Sequence, residues 1–189
     1  MKKDLKGIIV PTVTPVNEDE TIDVQGTKDL VTYLINNDVH GLFLLGTTGE
    51  FTRLLDNQKQ KFIDISVEQI AGTLPFGINV SDLGTKKVVT NLKFAEIYNP
   101  DFVGISLPTY FLIQNTDEQY AFFKNLAEKT NLPMMLYNIP ACTGGYINLE
   151  TIEKLLDHEN IIGIKDSSGD VEYMKKISEL SRDEDFALF

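Results

Sequence analysis

Lys165 is the residue in this chain best placed to do chemistry. It stands in Gly163-Ile164-Lys165-Asp166-Ser167-Ser168-Gly169-Asp170, at the end of the short apolar run Ile161-Ile162-Gly163-Ile164 and before a polar turn. A lysine leaving the end of a buried strand is expected to point into a site with little water. Burial disfavours the ammonium form, so the free amine becomes available as a nucleophile. Attack of such an amine on a ketone gives an imine, the chemistry of a Schiff-base enzyme. A solvated lysine in a strand-to-helix loop would read the same from this segment alone, because most lysines are solvated. The inference therefore needs other segments that converge on the same point.

Two segments do. Gly46-Thr47-Thr48-Gly49-Glu50 follows the apolar run Gly41-Leu42-Phe43-Leu44-Leu45. Its glycines allow a tight turn and a close approach to a ligand. Thr47 and Thr48 add hydroxyls and N–H groups, and a helix starting near Glu50 would turn its N-terminus toward a carboxylate. A strand-to-helix turn capped by threonines is the bland alternative, and Gly-Thr-Thr-Gly by itself does not separate the two. Tyr137-Asn138-Ile139-Pro140 follows Leu132-Pro133-Met134-Met135-Leu136. A tyrosine at a strand end can move a proton to or from a reacting oxygen or carbanion, although a lone tyrosine is more often half-buried packing. The three segments share one context, an apolar run, then the reactive group, then a helix. In an α/β barrel such positions gather at the carboxyl ends of the strands.

These segments carry a family resemblance. With Thr143-Gly144 and the opening Gly7-Ile8-Ile9-Val10-Pro11-Thr12-Val13-Thr14-Pro15, the chain resembles the dihydrodipicolinate synthase / N-acetylneuraminate lyase family of pyruvate-dependent aldolases. The match runs from about Gly7 to the last residue, with the motifs in the family's order. The resemblance implies a TIM (β/α)8 barrel in which Lys165 forms the pyruvate imine and Tyr137 shuttles protons. It implies that Thr47 positions Tyr137, and that Thr48 and the backbone at Gly46 and Gly49 clamp the pyruvate carboxylate. Tyr110 is retained as a substrate-binding candidate. Imine chemistry needs no metal or organic cofactor, and the partners implied are pyruvate, an aldehyde and further copies of the chain in a homodimer or homotetramer.

Two positions depart from the family pattern. Members that make dihydrodipicolinate usually carry an arginine where this chain has Cys142. That arginine binds the carboxylate of aspartate semialdehyde as a charged donor pair, and a cysteine does not replace it. The synthases also place two tyrosines in the segment that reads Leu107-Pro108-Thr109-Tyr110-Phe111 here, and Phe111 lacks the hydroxyl of the second. Both departures point to an uncharged aldehyde, as in a 2-keto-3-deoxy sugar acid aldolase. Dihydrodipicolinate synthase itself is the alternative, and a non-catalytic keto-acid-binding barrel is the alternative of another class. A sensor has no need for a proton shuttle, which argues against the last. Cys142 lacks a histidine at a recognisable partner spacing, so it is not read as a nucleophile. Asp166 and Asp170 are read as helix-opening charge complements and not as a metal pair.

The elements that must position these residues alternate along the chain, the pattern of a parallel sheet. Strands are expected near 7–12, 41–45, 75–80, 102–107, 133–137 and 161–165, and helices near 25–37, 55–71, 86–98, 116–130, 149–157 and 171–181. In the helix at 116–130, Tyr120, Phe123, Leu126 and Ala127 are expected on one buried face. Asp185-Phe186-Ala187-Leu188-Phe189 reads as the start of a seventh strand. A closed barrel typically takes about 250 residues, so the 189 residues are read as one barrel domain, 1–189, truncated at its C-terminus after about six strand–helix units. The open edge predicts that this piece alone is unstable or aggregates.

Composition narrows the classes further. A hydrophobic fraction of 42% supports a sizeable core, and a net charge of -11 argues against nucleic acid, whose phosphates need clustered Lys and Arg. A small anionic substrate is still accommodated, because backbone amides supply local positive potential. The single cysteine excludes an intrachain disulfide, and two histidines make a histidine-rich metal site unfavourable. The basic opening Met1–Lys6 lacks the apolar stretch of a signal peptide, and no run approaches the roughly 20 apolar residues of a membrane span. A cytoplasmic enzyme with no membrane partner is the expectation.

Overall fold

The computed structural model describes residues 5–189, so Met1–Asp4 of the basic opening lie outside the described residues. The chain divides into two compact units, one running through Asn79 and one from Val80 to Phe189.

In the first unit, β1 (Ile9–Pro11), β2 (Gly41–Leu44) and β3 (Phe76–Asn79) lie parallel, with Ile9 opposite Gly41 and Leu42 opposite Phe76. Every residue of β2 and β3 is buried. That is why β2 reads as a continuous apolar run and β3 as one up to its last residue, Asn79, and neither as an alternation. Helices α1 (Val24–Asn36) and α2 (Asp56–Ile70) pack on each other. Asp23 starts α1 by accepting the Gly26 N–H at 2.9 Å, an N-cap that satisfies a donor the helix leaves open. Val31 and Leu34 of α1, and Phe62, Ile63, Ile65 and Ile70 of α2, form the apolar side of this unit.

In the second unit, β4 (Phe102–Ser106), β5 (Met134–Asn138), β6 (Ile161–Asp166) and β7 (Ala187–Leu188) are parallel and adjacent in that order. Their connections are α4 (Thr116–Ala127), the single turn α5 (Pro140–Thr143), α6 (Leu149–Leu155) and α7 (Val171–Leu180), with α3 (Thr85–Glu96) preceding β4. In α4 the buried residues are Gln119, Phe122, Phe123, Leu126 and Ala127, so Phe122 takes the place expected for Tyr120, which is only half-buried. The stripe 119, 122, 123, 126 follows the i, i+3, i+4, i+7 rule. It contains a glutamine because both ends of that amide are bonded. Gln119 Nε2 donates to the Ile113 and Tyr146 carbonyls at 3.0 Å, and Oε1 accepts the Asn148 N–H at 2.8 Å.

The register between β5 and β6 positions the site. Met134 pairs with Ile161 but Met135 pairs with Gly163, so Ile162 is an extra residue in β6, a β-bulge. Beyond it Leu136 faces Ile164, Tyr137 faces Lys165 and Asn138 faces Asp166. Gly163 is required by close approach, since a Cβ there would run into the Ala187 carbonyl of β7. Each strand and long helix expected from the sequence is present, the seventh strand included. The expectation omitted α5 and the short 3-10 turns after β2. Among the described residues, no helix is long and apolar enough to cross a membrane.

Candidate functional site

Tyr137 and Lys165 are direct neighbours across the β5–β6 ladder and therefore share a face of the sheet. The Lys165 Nζ stands 3.9 Å above the centroid of the Tyr137 ring, in the range of a favourable amine–ring contact. The same Nζ donates a hydrogen bond to Ser167 Oγ at 2.6 Å. Tyr137 is buried, whereas Lys165 is half-buried, so the amine has less cover than the sequence led one to expect. The i, i+2 spacing of Lys165 and Ser167 at a strand end is the signal that could have found Ser167 in advance.

The opposite face of the same two strands is a hydrogen-bonded clamp. Asn138, 1% exposed, donates from Nδ2 to Asp166 Oδ1 at 2.6 Å and accepts the Ile147 N–H on Oδ1 at 2.9 Å. Asp166 Oδ2 accepts from Ser168 Oγ at 2.7 Å, and the Ser167 N–H donates to the Asn138 carbonyl at 2.8 Å. Asp170 caps α7 by accepting from the Glu172 and Tyr173 N–H groups, both at 3.0 Å. Both acids therefore have structural work. Asn138→Ala is expected to cost roughly 2–4 kcal/mol. It strands a buried N–H and one carboxylate oxygen, each worth about 1–3 kcal/mol. Urea unfolding with an unchanged m-value checks this, and a loss under 0.5 kcal/mol would contradict the clamp.

Tyr173 lies behind the clamp. Its hydroxyl donates to the Ile147 carbonyl at 2.6 Å and its ring meets Tyr146 edge-on at 4.9 Å. Burial first, then the Asp166 charge and then Tyr146, push its phenol well above the usual tyrosine range. A folded-state value raised above the unfolded value of about 10 contributes stability that is fully present below pH ~10 and is lost as pH rises beyond it. Stability is thus expected to fall on going above pH ~10, with a shallower fall in Tyr173→Phe. Parallel alkaline melts of the two proteins check the sign.

In the first unit, Thr47–Gly49 forms a 3-10 turn directly after β2, and Phe51–Arg53 forms a second. No α-helix starts near Glu50. That residue sits in the left-handed region at φ 52 between the two turns, and α2 begins only at Asp56. The helix N-terminus expected there is therefore absent, and the Gly49 and Glu50 N–H groups close the turn on the Gly46 and Thr47 carbonyls, both at 3.0 Å. The glycines serve close approach, not unusual torsion. A Cβ on Gly46 would lie 3.2 Å from the Phe43 ring, and one on Gly49 would lie 3.0 Å from the Thr12 carbonyl. Thr47 and Thr48 are both exposed. Thr14 Oγ1 donates to the Gly49 carbonyl at 2.8 Å and fixes the turn against the chain after β1. A cavity of about 300 Å³ beside it is lined by Thr14, Asp19, Gly49, Glu50 and Arg53 among others. Arg53 is already paired with Glu50 at 2.6 Å, so that cavity offers an anion no free cation.

The structure thus joins Lys165, Tyr137 and Ser167 in the second unit, and gathers Gly46, Thr47, Thr48 and Gly49 in one turn of the first. Tyr110 is 76% exposed in the β4–α4 connection and meets Phe111 edge-on at 5.0 Å. Cys142 is an exposed free thiol on α5.

Comparison with known proteins shows the family. The model of the dihydrodipicolinate synthetase family matches residues 4–189. The chain belongs to that family. The 4-hydroxy-tetrahydrodipicolinate synthase of Macrococcus caseolyticus is 35% identical over 189 residues, covering 100% of this chain and 63% of that protein. The solved 4-hydroxy-tetrahydrodipicolinate synthase of Methylacidiphilum fumariolicum SolV superposes with a TM-score of 0.93 at 25% identity, covering 98% of this chain and 61% of the other. YagE from E. coli K12, a prophage protein of the dihydrodipicolinic acid synthase family solved in complex with pyruvate, gives a TM-score of 0.89 at 27% identity, covering 96% of this chain and 62% of YagE. The family's (β/α)8-barrel fold is therefore the fold of this chain, which carries it through β7. The chain spans about 63% of the length of the Macrococcus relative.

Proposed function

We propose that the full-length protein is a pyruvate-dependent class I aldolase, and that its second substrate is an uncharged aldehyde, as in 2-keto-3-deoxy sugar acid aldolases. The observation that carries the aldolase reading is the Lys165 amine held over Tyr137 by the register of β5 and β6. In the proposed reaction the Lys165 Nζ adds to the pyruvate carbonyl carbon and water leaves, giving an imine. The imine draws electrons from the methyl carbon, which gives a proton to water and becomes an enamine. The enamine carbon then adds to the aldehyde carbonyl while Tyr137 supplies the proton to the aldehyde oxygen, and hydrolysis of the imine frees Lys165. Cleavage is the same path reversed. Thr47 orients Tyr137, while Thr48 with the Gly46–Gly49 backbone holds the pyruvate carboxylate. Tyr110 joins the second-substrate side. Apolar Phe111 and Leu112 beside it, 77% and 45% exposed, support association of the protein with copies of itself.

Cys142 favours the uncharged aldehyde, because an exposed thiol gives a second carboxylate no charged donor. The named relatives favour the other reading, 4-hydroxy-tetrahydrodipicolinate synthase. Assaying the full-length protein with pyruvate and either aspartate semialdehyde or glyceraldehyde decides between them. We expect kcat/KM to favour glyceraldehyde, and Cys142→Arg to raise kcat/KM for aspartate semialdehyde by roughly 10- to 100-fold, the equivalent of one charge-assisted hydrogen bond. Preference for aspartate semialdehyde in the unmodified protein would establish the synthase reading instead.

A further inference from the structure

We propose that Tyr173, with Gln119 and Asn138, positions the loop on the aldehyde side of the site by grasping its backbone from three elements at once. The proposal rests on the aldolase reading and assigns the alignment of the second substrate to residues buried behind the loop. The loop runs from Pro140 to Asn148, between β5 and α6. It carries the exposed Cys142 on α5 and turns at Gly144, whose φ of 67 lies in the left-handed region. Its far end, Tyr146 to Asn148, is neither helix nor strand, so no ladder or helical turn supplies partners for its peptide groups.

Side chains supply them instead, at all four groups of two successive peptide units. The Tyr146 carbonyl accepts from Gln119 Nε2 at 3.0 Å, and the Ile147 N–H donates to Asn138 Oδ1 at 2.9 Å. The Ile147 carbonyl accepts from the Tyr173 hydroxyl at 2.6 Å, and the Asn148 N–H donates to Gln119 Oε1 at 2.8 Å. Gln119 belongs to α4, Asn138 to β5 and Tyr173 to α7. They are 1%, 1% and 8% exposed, and Ile147 itself is 1% exposed. In such a dry place each bond is strong and each unmade one costly. A single side chain would satisfy a peptide group and leave the loop free to pivot about it. Three, from three elements, leave no axis to pivot on. The grip is also indexed to the chemistry, since Asn138 follows Tyr137 in β5 and bonds Asp166, the residue after Lys165. The loop is thus held at a fixed offset from the strand pair that carries the amine and the phenol. Imine formation takes place on the strand. An aldehyde that reaches from the enamine to the loop needs both in place, and a loop free to shift must be ordered when it binds.

The test compares the full-length parent with Tyr173→Phe and Ile147→Val. Phenylalanine keeps the ring against Tyr146 and removes only the hydroxyl that holds the Ile147 carbonyl. Valine trims the packing of the same residue and leaves both of its peptide bonds to Asn138 and Tyr173 intact. Each protein is assayed with saturating pyruvate and whichever of glyceraldehyde and aspartate semialdehyde the parent prefers, and by borohydride trapping of pyruvate read by intact mass. In Tyr173→Phe the aldehyde KM is expected to rise roughly 3- to 10-fold, what one neutral hydrogen bond is worth. The turnover number and the rate of adduct formation are expected to stay within about two-fold, the pattern of a lost binding interaction. Ile147→Val is expected to keep the parental KM. An unchanged aldehyde KM in Tyr173→Phe overturns the proposal. So does an equal rise in Ile147→Val, which would make the effect one of packing, and so does a fall in adduct formation matching the rise in KM, which would place the effect on the strands. A parent protein that traps no pyruvate overturns the aldolase reading, and the positioning with it.

Discussion

Lys165→Arg removes the pyruvate adduct entirely and lowers aldol turnover by roughly 10⁴-fold or more, the scale seen when a covalent nucleophile is lost. Arginine is the informative replacement. It keeps a cation that can lie over the Tyr137 ring, but a guanidinium forms no imine. Loss of fold would not account for the result. Lys165 is half-buried and its Nζ makes one hydrogen bond, to Ser167, and one ring contact, to Tyr137. Those contacts together are worth about 1–2 kcal/mol, a small part of the stability of a domain. A ten-thousandfold loss in a protein that still melts cooperatively is therefore chemical. Borohydride reduction with pyruvate followed by peptide mapping checks it, and an adduct on any lysine other than Lys165 would refute the assignment.

Tyr137→Phe is expected to separate the steps. Phenylalanine keeps the ring beneath the Lys165 amine and removes only the hydroxyl, so pyruvate trapping persists while turnover with an aldehyde falls by roughly 10²- to 10⁴-fold, the range for a general acid–base group. The fall appears in kcat and kcat/KM alike, because the lost interaction forms in the transition state. Stability changes little by comparison, since a single hydrogen bond contributes about 1 kcal/mol. A variant that turns over normally would overturn the role given to Tyr137.

The strands were legible in the sequence because fully buried parallel strands are written as apolar runs, as in Gly41–Leu44 and Met134–Leu136. Lys165 and Tyr137 were legible because each follows such a run. The turn after β2 was misread because nothing in Glu50-Phe51-Thr52-Arg53-Leu54 announces a left-handed residue at Glu50, which breaks what would otherwise be a helix start. The Asn138–Asp166 clamp was invisible for a different reason. Its members are 28 residues apart, and only the register of β5 against β6 makes them neighbours. That register includes an extra residue that no hydrophobic period reveals. Ser167 was in view within the lysine segment, two residues from Lys165, and its contact with Nζ was within reach of that spacing.

The bulge at Ile162 also governs which changes of chain length this gene can survive. An extra residue in a strand is slack. If the codon for Ile162 were lost, Met135 would still meet Gly163 and every later pair would stand, because the ladder beyond the bulge is counted from Gly163. A codon lost at Ile164 has no such refuge. It brings Asp166 opposite Tyr137 and turns Lys165 to the face of Asn138, since one step of register exchanges the faces of a strand. A one-residue deletion is thus absorbed at the bulge and exchanges the faces of the strand beyond it, along a stretch of only a few codons.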